Sequence, residues 1–331
     1  MSQLVTIFGG SGFVGRYIVR RMAKQGWRVK VAVRRPNDAL FVKPYGVVGQ
    51  VEPVFCNIRD DASVAKALKG ADVVVNCVGV LTEFGKNRFQ AVQSEGAGRI
   101  ARLAVQEGVD KFVQVSAIGA DEGSDSLYSV SKAMGEAAIL SQFPEAVILR
   151  PSVIFGPEDQ FFNRFASIAR LSPFLPLIGA QTKFQPVYVD DVAQAAELAV
   201  LGRVSGGIYE IGGPDIASFK SLMEGMLSVT QRKSIVLPIP MFVGKAMATV
   251  FDAVQIMSLG ILKNGVITRD QVKNLARDNI VSGIHKTFAD LGIEPTGLDA
   301  ILPSYLWSYR PSGQFAAIKD SAKNLRSNSR S

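Results

Sequence analysis

The sequence predicts an α/β fold, a doubly wound parallel sheet followed by a smaller, mostly helical C-terminal lobe. Three observations carry this. An apolar strand at 4–8 runs straight into a glycine-rich turn and then a helical stretch. Short β-branched runs then alternate with amphipathic segments through the first half of the chain, the pattern of strands covered by helices on both faces. After Pro151 the alternation loosens and proline breaks multiply.

Taken in order, the glycine turn reads Gly9-Gly10-Ser11-Gly12-Phe13-Val14-Gly15, a G-x-x-G-x-x-G spacing, with a helix expected over 16–25. Strands are expected at 29–33, 51–55, 72–80, 111–116 and 146–150, with helices at 61–69 and 95–107 between them. In the second half, an apolar helix at 161–170 leads into a proline-broken stretch at 172–176. A strand at 186–192 feeds a helix at 193–201, and another strand at 208–211 stops at Gly212-Gly213-Pro214. From Phe219 onward the pattern is helical. The expected division is a dinucleotide-binding Rossmann-type core over 1–155 and a lobe over 156–310. Within that lobe, 180–212 returns to the core; a polar basic tail over 311–331 follows.

Composition narrows the chemistry. A single histidine, His285, and two cysteines in apolar stretches, Cys56 and Cys77, provide no metal-ligand spacing, so no metal site is expected. Both thiols are expected reduced. The first strand opens within a few residues, so no signal or transit peptide is expected; the readings are a bacterial cytoplasmic protein or one already processed. A net charge of +8 favours an acidic partner or an anionic lipid surface, and no nucleic-acid module is present. The run at 241–262 is nearly long enough to span a bilayer, but Lys245 and Asp252 interrupt it. Its readings are a buried core helix or a surface that meets a membrane or a partner.

The motifs lie at predicted strand ends, where ligands of such sheets bind. Gly9, Gly12 and Gly15 let the backbone turn sharply. With Ser11, Phe13 and Val14 they bring the N–H groups of a helix N-terminus against a pyrophosphate. The second strand ends in Val33-Arg34-Arg35-Pro36. NAD sites place an acid there for the ribose hydroxyls, and NADP sites place arginine against the 2′-phosphate. Arg34 and Arg35, with Arg16 as a further contact, therefore point to NADPH; a solvated basic loop is the alternative. Asn57-Ile58 follows the third strand, where an adenine amino group is read. Cys77-Val78-Gly79 ends the fourth, along the nicotinamide ribose. Tyr128 and Lys132, four apart, share one helix face, and Ser116 ends the fifth strand. An ammonium beside a phenol is expected to lower its pKa, so that Tyr128 trades a proton with a carbonyl polarised by Ser116.

These residues, with Asn57-Ile58-Arg59-Asp60, the block Leu149-Arg150-Pro151-Ser152-Val153-Ile154-Phe155-Gly156-Pro157 and Val187-Tyr188-Val189-Asp190-Asp191-Val192, resemble the short-chain dehydrogenase/reductase superfamily over 4–215. Its extended and atypical branches fit best. Asn57 stands where that family commonly has aspartate. The resemblance implies that Pro151 and Val153 join the cofactor-binding set, and that Ser116, Tyr128 and Lys132 are the catalytic set if there is catalysis. The stretch from Phe155 to Ala166, Gln185-Pro186-Val187-Tyr188 and Ile267-Thr268-Arg269-Asp270-Gln271-Val272 are similar to the nucleotide-binding accessory subunit of respiratory complex I. That similarity implies tightly held NADPH with a structural role. It also implies partners among complex I subunits where the peripheral arm meets the membrane arm, and a peripheral location on the cytoplasmic face of a bacterial inner membrane. A free NADPH-dependent reductase or epimerase using Ser116, Tyr128 and Lys132 is the alternative, and an NADPH-reporting redox sensor a third.

Overall fold

Seven parallel strands form the central sheet of the computed structural model, which describes residues 3–257, 267–311 and 313. In chain order the first half contains β1 (Leu4–Phe8), α1 (Phe13–Lys24), β2 (Arg28–Val33), β3 (Val51–Phe55), α2 (Asp61–Leu68), β4 (Val73–Asn76), α3 (Glu95–Gln106), β5 (Lys111–Val115), α4 (Leu127–Leu140) and β6 (Val147–Pro151). There follow β7 (Ile154–Phe155), α5 (Phe162–Leu171), β8 (Phe174–Ile178), β9 (Lys183–Phe184), β10 (Val187–Tyr188), α6 (Val189–Val200) and β11 (Gly207–Ile211). The rest comprises β12 (Ala217–Ser218), α7 (Phe219–Thr230), β13 (Ile235–Ile239), α8 (Met241–Met257), α9 (Arg269–Asn274), α10 (Phe288–Leu291) and α11 (Leu298–Leu306).

Across the sheet the order is β3-β2-β1-β4-β5-β6-β11. The direction of winding reverses between β1 and β4, which creates the crevice where such sheets take ligands. Alternation along β1 explains the two layers. Val5 and Ile7 pack against α1 and α6, whereas Phe8 enters the cluster with Val64 and Leu68 of α2 and Ile100 of α3. Both faces are buried along β1, and its one polar side chain, Thr6, donates to the Ala67 carbonyl (3.2 Å). A third apolar cluster, with Phe155, Phe162, Phe219, Met223 and Leu302, holds α5, α7 and α11 together beyond the sheet ends.

Several elements depart from the sequence expectation for identifiable reasons. Helix α1 starts at Phe13 rather than Arg16, so the last glycine lies inside its first turn. Strand β4 stops at Asn76, four residues short of the expected end. There the Asn76 side chain accepts from the Val78 N–H (3.1 Å) and bends the chain. The stretch at 186–192 is mostly helix: only Val187–Tyr188 is strand, and Asp190 and Asp191 lie in the first turn of α6, where acids suit the helix dipole. The proline-broken stretch at 172–176 enters strand β8, which pairs in parallel with β13, a strand the helical reading of this region omitted. A two-stranded sheet has only edge strands, which tolerate proline. A π-helical segment, Gln90–Ser94, precedes α3.

The greasy run from 241 enters α8, where Gly244 and Ala248 are buried while Phe242 (74 %) and Val250 (61 %) stand in solvent. The buried reading thus holds for one side of this helix, and the other side is exposed to solvent. Among the described residues no helix is long and apolar enough to cross a membrane. Residues 258–262 of that run, and the tail at 312 and 314–331, lie outside the described residues.

Candidate dinucleotide site

The glycine turn is built so that side chains are excluded. Gly9 has φ +74°, a left-handed conformation that favours glycine, and a Cβ there would sit 3.3 Å from the Cys77 carbonyl. A Cβ on Gly15 would collide with the Gly9 carbonyl oxygen and lie 2.7 Å from the Gly10 Cα, so only glycine lets α1 pack against its own loop. Gly12 is the N-cap of α1, and its N–H donates to the Gly9 carbonyl (2.9 Å). No side chain caps α1 and no acid lies in its first turn, whereas Asp60, Ser126 and Ser218 cap α2, α4 and α7. The N–H groups over Phe13, Val14 and Gly15, at the positive end of the helix dipole, therefore suit the pyrophosphate of a dinucleotide. Ser11 lies in this loop, and its carbonyl accepts from Arg16 (3.3 Å).

Arg16 folds back across the turn. Its guanidinium pairs with Glu158 (3.4 Å), contacts Ser11 and Gly12 carbonyls, and stands 4.8 Å from the centroid of Phe41. At the β2 end Arg34 donates to Asn87 (3.2 Å), while Arg35 is 82 % exposed beside Asp38 (3.7 Å). Arg59, unassigned by sequence reading, donates to the Lys86 carbonyl (2.8 Å), so two arginines grip one turn after β4. The Asn57 side chain accepts from the Arg59 N–H (3.3 Å) and shapes its own loop, with Ile58 packed under α3 against Gly96.

The opposite end of the crevice gathers Cys77, Val78, Gly79 and Lys132. Cys77 and Val78 abut Gly9, and a Cβ on Gly79 would lie 3.4 Å from the Lys132 ammonium. Lys132 is only 7 % exposed; it donates to the Val115 carbonyl (3.3 Å) and stands 5.9 Å from the Tyr128 ring centroid. Burial lowers its pKa to about 8, against the partial support of Glu136 and Cys77. The expected acidification of Tyr128 is overturned. Burial of the phenol, with the Asp270 carboxylate adding to it, raises Tyr128 to about 12, so near neutral pH the phenol keeps its proton. Its ring meets Phe89 edge-on at 5.7 Å.

Ser116, just past the end of β5, has a hydrogen-bond partner of its own. Its hydroxyl donates to the buried Glu136, which Arg150 binds through Nη2 (2.6 Å) and Nε (3.1 Å). His285, without a role in the sequence, lies 3.3 Å from Arg150. Glu136 follows Lys132 by four positions on the same helix face, a spacing that could have flagged it. Pro151 and Val153 lie at the β6 end: the Pro151 carbonyl accepts from Ile118 and the Val153 N–H donates to Asn279 (both 3.0 Å). They are tied to these neighbours, with no hydrogen bond to Tyr128 or Lys132 among the described residues.

Comparison with known proteins agrees with this architecture. The profile of the NAD dependent epimerase/dehydratase family matches residues 5–212. The chain is 35 % identical over 316 residues to "NADH dehydrogenase (ubiquinone) 1 alpha subcomplex subunit 9, mitochondrial" of Arabidopsis thaliana, covering 94 % of this chain and 79 % of that protein. It is 31 % identical over 240 residues to a ceramide reductase of Caulobacter vibrioides, covering 72 % of this chain and 74 % of the other. Among solved structures, the Thermus thermophilus UDP-glucose 4-epimerase in complex with NAD superposes with a TM-score of 0.68 at 19 % identity, over 94 % of this chain and 100 % of that one. At that identity the likeness is one of fold. The chain belongs to the NAD dependent epimerase/dehydratase family, and within it groups with the alpha subcomplex subunit 9 proteins.

Proposed function

We propose that this chain is an NADPH-binding accessory subunit of a respiratory NADH:quinone oxidoreductase, in which the dinucleotide is a structural ligand. The observation that carries this reading is the commitment of Ser116. In a reductase of this type the serine polarises the substrate oxygen, whereas here its hydroxyl is spent on the buried Glu136–Arg150 pair. The subunit relative at 35 % identity points the same way. On this reading residues 1–155 hold the dinucleotide and 156–310 form the lobe that meets other subunits where the peripheral arm joins the membrane arm. The protein then lies peripherally on the cytoplasmic face of the inner membrane. Its charge of +8 and the exposed Phe242 and Val250 support contact with anionic lipid.

The first turn of α1, with Gly9, Gly12 and Gly15, would hold the pyrophosphate; Arg34, Arg35 and Arg16 the 2′-phosphate; Asn57 and Ile58 the adenine. Cys77, Val78, Gly79, Tyr128 and Lys132 would flank the nicotinamide ribose. When bound, the cofactor can supply a hydride. The chain's own contribution is to bind and orient it: Lys132 offers a buried donor, and Tyr128 a neutral phenol that does not act as a base near neutral pH. A ligand bound only to the folded state stabilises it by about 2.7 kcal/mol at one hundred times its Kd.

A second reading, a free NADPH-dependent reductase, is favoured by the retained Tyr128 and Lys132 and by the ceramide reductase relative. Native electrophoresis of solubilised membranes separates the two. The subunit is expected to co-migrate with a large membrane complex, and Tyr128→Phe to assemble unchanged. A soluble dimer that oxidises NADPH with a small carbonyl compound, and loses that activity on Tyr128→Phe, would overturn the proposal.

A further inference from the structure

The helix that carries Tyr128 and Lys132 is capped by a residue far away in sequence. Asp270, on α9, accepts from the Ser126 hydroxyl (2.9 Å), the Leu127 N–H (2.7 Å) and the Tyr128 N–H (3.2 Å). Ser126, the local N-cap of α4, also accepts from the Ser129 N–H (3.3 Å). One hydroxyl cannot satisfy the orphan N–H groups of the first turn, and the carboxylate supplies both the missing acceptors and a charge suited to the helix dipole. Neighbouring contacts fix α9 in place: Lys273 donates to the Asp125 carbonyl (2.6 Å), and Arg277 pairs with Asp125 (3.2 Å). At its other end α9 is tied to α8, because the Arg269 N–H donates to Asp252 (3.0 Å). A continuous polar path thus runs from α8 through Asp252, Arg269 and Asp270 to the first turn of α4.

We propose that Asp270 is a positioning residue through which the α8–α9 arm holds Tyr128 and Lys132 in place, so that the arm's position and dinucleotide binding are linked. The inference rests on the reading that these two side chains face the dinucleotide. Linkage is reciprocal: whatever draws α9 off α4 weakens the ligand, and the ligand holds α9 against α4. The charged groups around Tyr128 are Asp270, from α9, and Lys132, on its own helix.

The test uses the full chain. NADPH is titrated by its fluorescence into wild type, Asp270→Asn and Asp252→Asn, and amide hydrogen exchange is followed in 267–277 with and without NADPH. Wild type is expected to bind NADPH and to exchange more slowly in 267–277 when it does. Asp270→Asn is expected to raise the Kd about tenfold and Asp252→Asn by less. In a ¹³Cζ-tyrosine titration, Asp270→Asn is expected to shift the Tyr128 resonance to a lower midpoint and Asp270→Glu, which keeps the carboxylate, to leave it near wild type; an equal shift in both marks lost burial of the phenol and overturns the role of the charge. Failure of wild type to bind any nicotinamide dinucleotide defeats the underlying reading. Binding without a change in 267–277 exchange overturns the linkage itself, whether or not the variants fold, and so does an Asp270→Asn affinity within twofold of wild type.

Discussion

Arg34 and Lys132 make separable contributions to one ligand, and each can be measured alone. Arg34 is half of the arginine pair at the β2 end, and its hydrogen-bond partner there among the described residues is the neutral Asn87. A charge-assisted hydrogen bond to phosphate contributes roughly 1.5–3 kcal/mol. Arg34→Ser is therefore expected to weaken NADPH by about tenfold or more while leaving NADH within about twofold, read by fluorescence titration; equal losses would refute the phosphate assignment. Lys132 carries a cost of its own, since burial lowers its pKa from 10.5 to about 8. Between those values the unfolded chain binds the extra proton, so this lysine makes stability rise with pH from about 8 to 10.5. The buried thiols act oppositely, because burial raises Cys56 to about 11 and Cys77 to about 12. Comparison with Lys132→Met isolates the lysine. The variant is expected to be more stable than wild type at pH 7.5, with the gap narrower at pH 9.5 in urea melts, and to bind dinucleotide more weakly.

Strand β6 and helix α4 are joined by Arg150 and Glu136, whose side chains are 12 % and 4 % exposed. Breaking one side of a buried pair strands the other charge, at a cost of about 3–5 kcal/mol. Arg150 also lies 4.0 Å from the buried Glu210, so Glu136→Gln leaves the guanidinium one carboxylate and is expected to lose less than that in denaturant melts. Arg150→Met, which leaves both carboxylates without their cation, is expected to lose stability on the full scale, and an equal loss in the two variants would refute this. The contrast between this network and the glycine turn explains what the sequence makes legible. Gly9 to Gly15, Arg34–Arg35 and the strands β1 to β6 are local signals, set by turn chemistry and by periodicity over a few residues. The partner of the Ser116 hydroxyl, Glu136, lies twenty positions later, and the partner of the Tyr128 N–H, Asp270, lies 142 positions later. No local pattern encodes such pairs. Nor does the hydrophobic pattern separate a β8–β13 pair rich in proline from a broken loop, because the pairing is what makes those residues a strand.

Over the whole molecule, segments distant in sequence are joined beside the glycine turn and along α1. Glu158 reaches Arg16 and accepts from Tyr17 (2.9 Å), and Arg21 of α1 binds Asp190 (2.8 Å) and Glu197 (2.9 Å) of α6. Helix α6 lies beside α1 on one face of the sheet, so the first and second halves of the chain share that layer. Strand β11 completes the sheet beside β6, and its own far edge meets Lys286, whose carbonyl accepts from the Glu210 N–H (2.8 Å). This arrangement sets a timetable for synthesis. When β6 leaves the ribosome its outer edge has no partner until β11 follows; with residues 152–206 still to be made at about 5–20 residues per second, the delay is roughly 3–11 s. For that interval a nascent chain displays an apolar sheet edge of the kind that recruits other chains. Holdase chaperones are thus expected to engage this protein most while the second lobe is being made, and to let go once β11 closes the sheet.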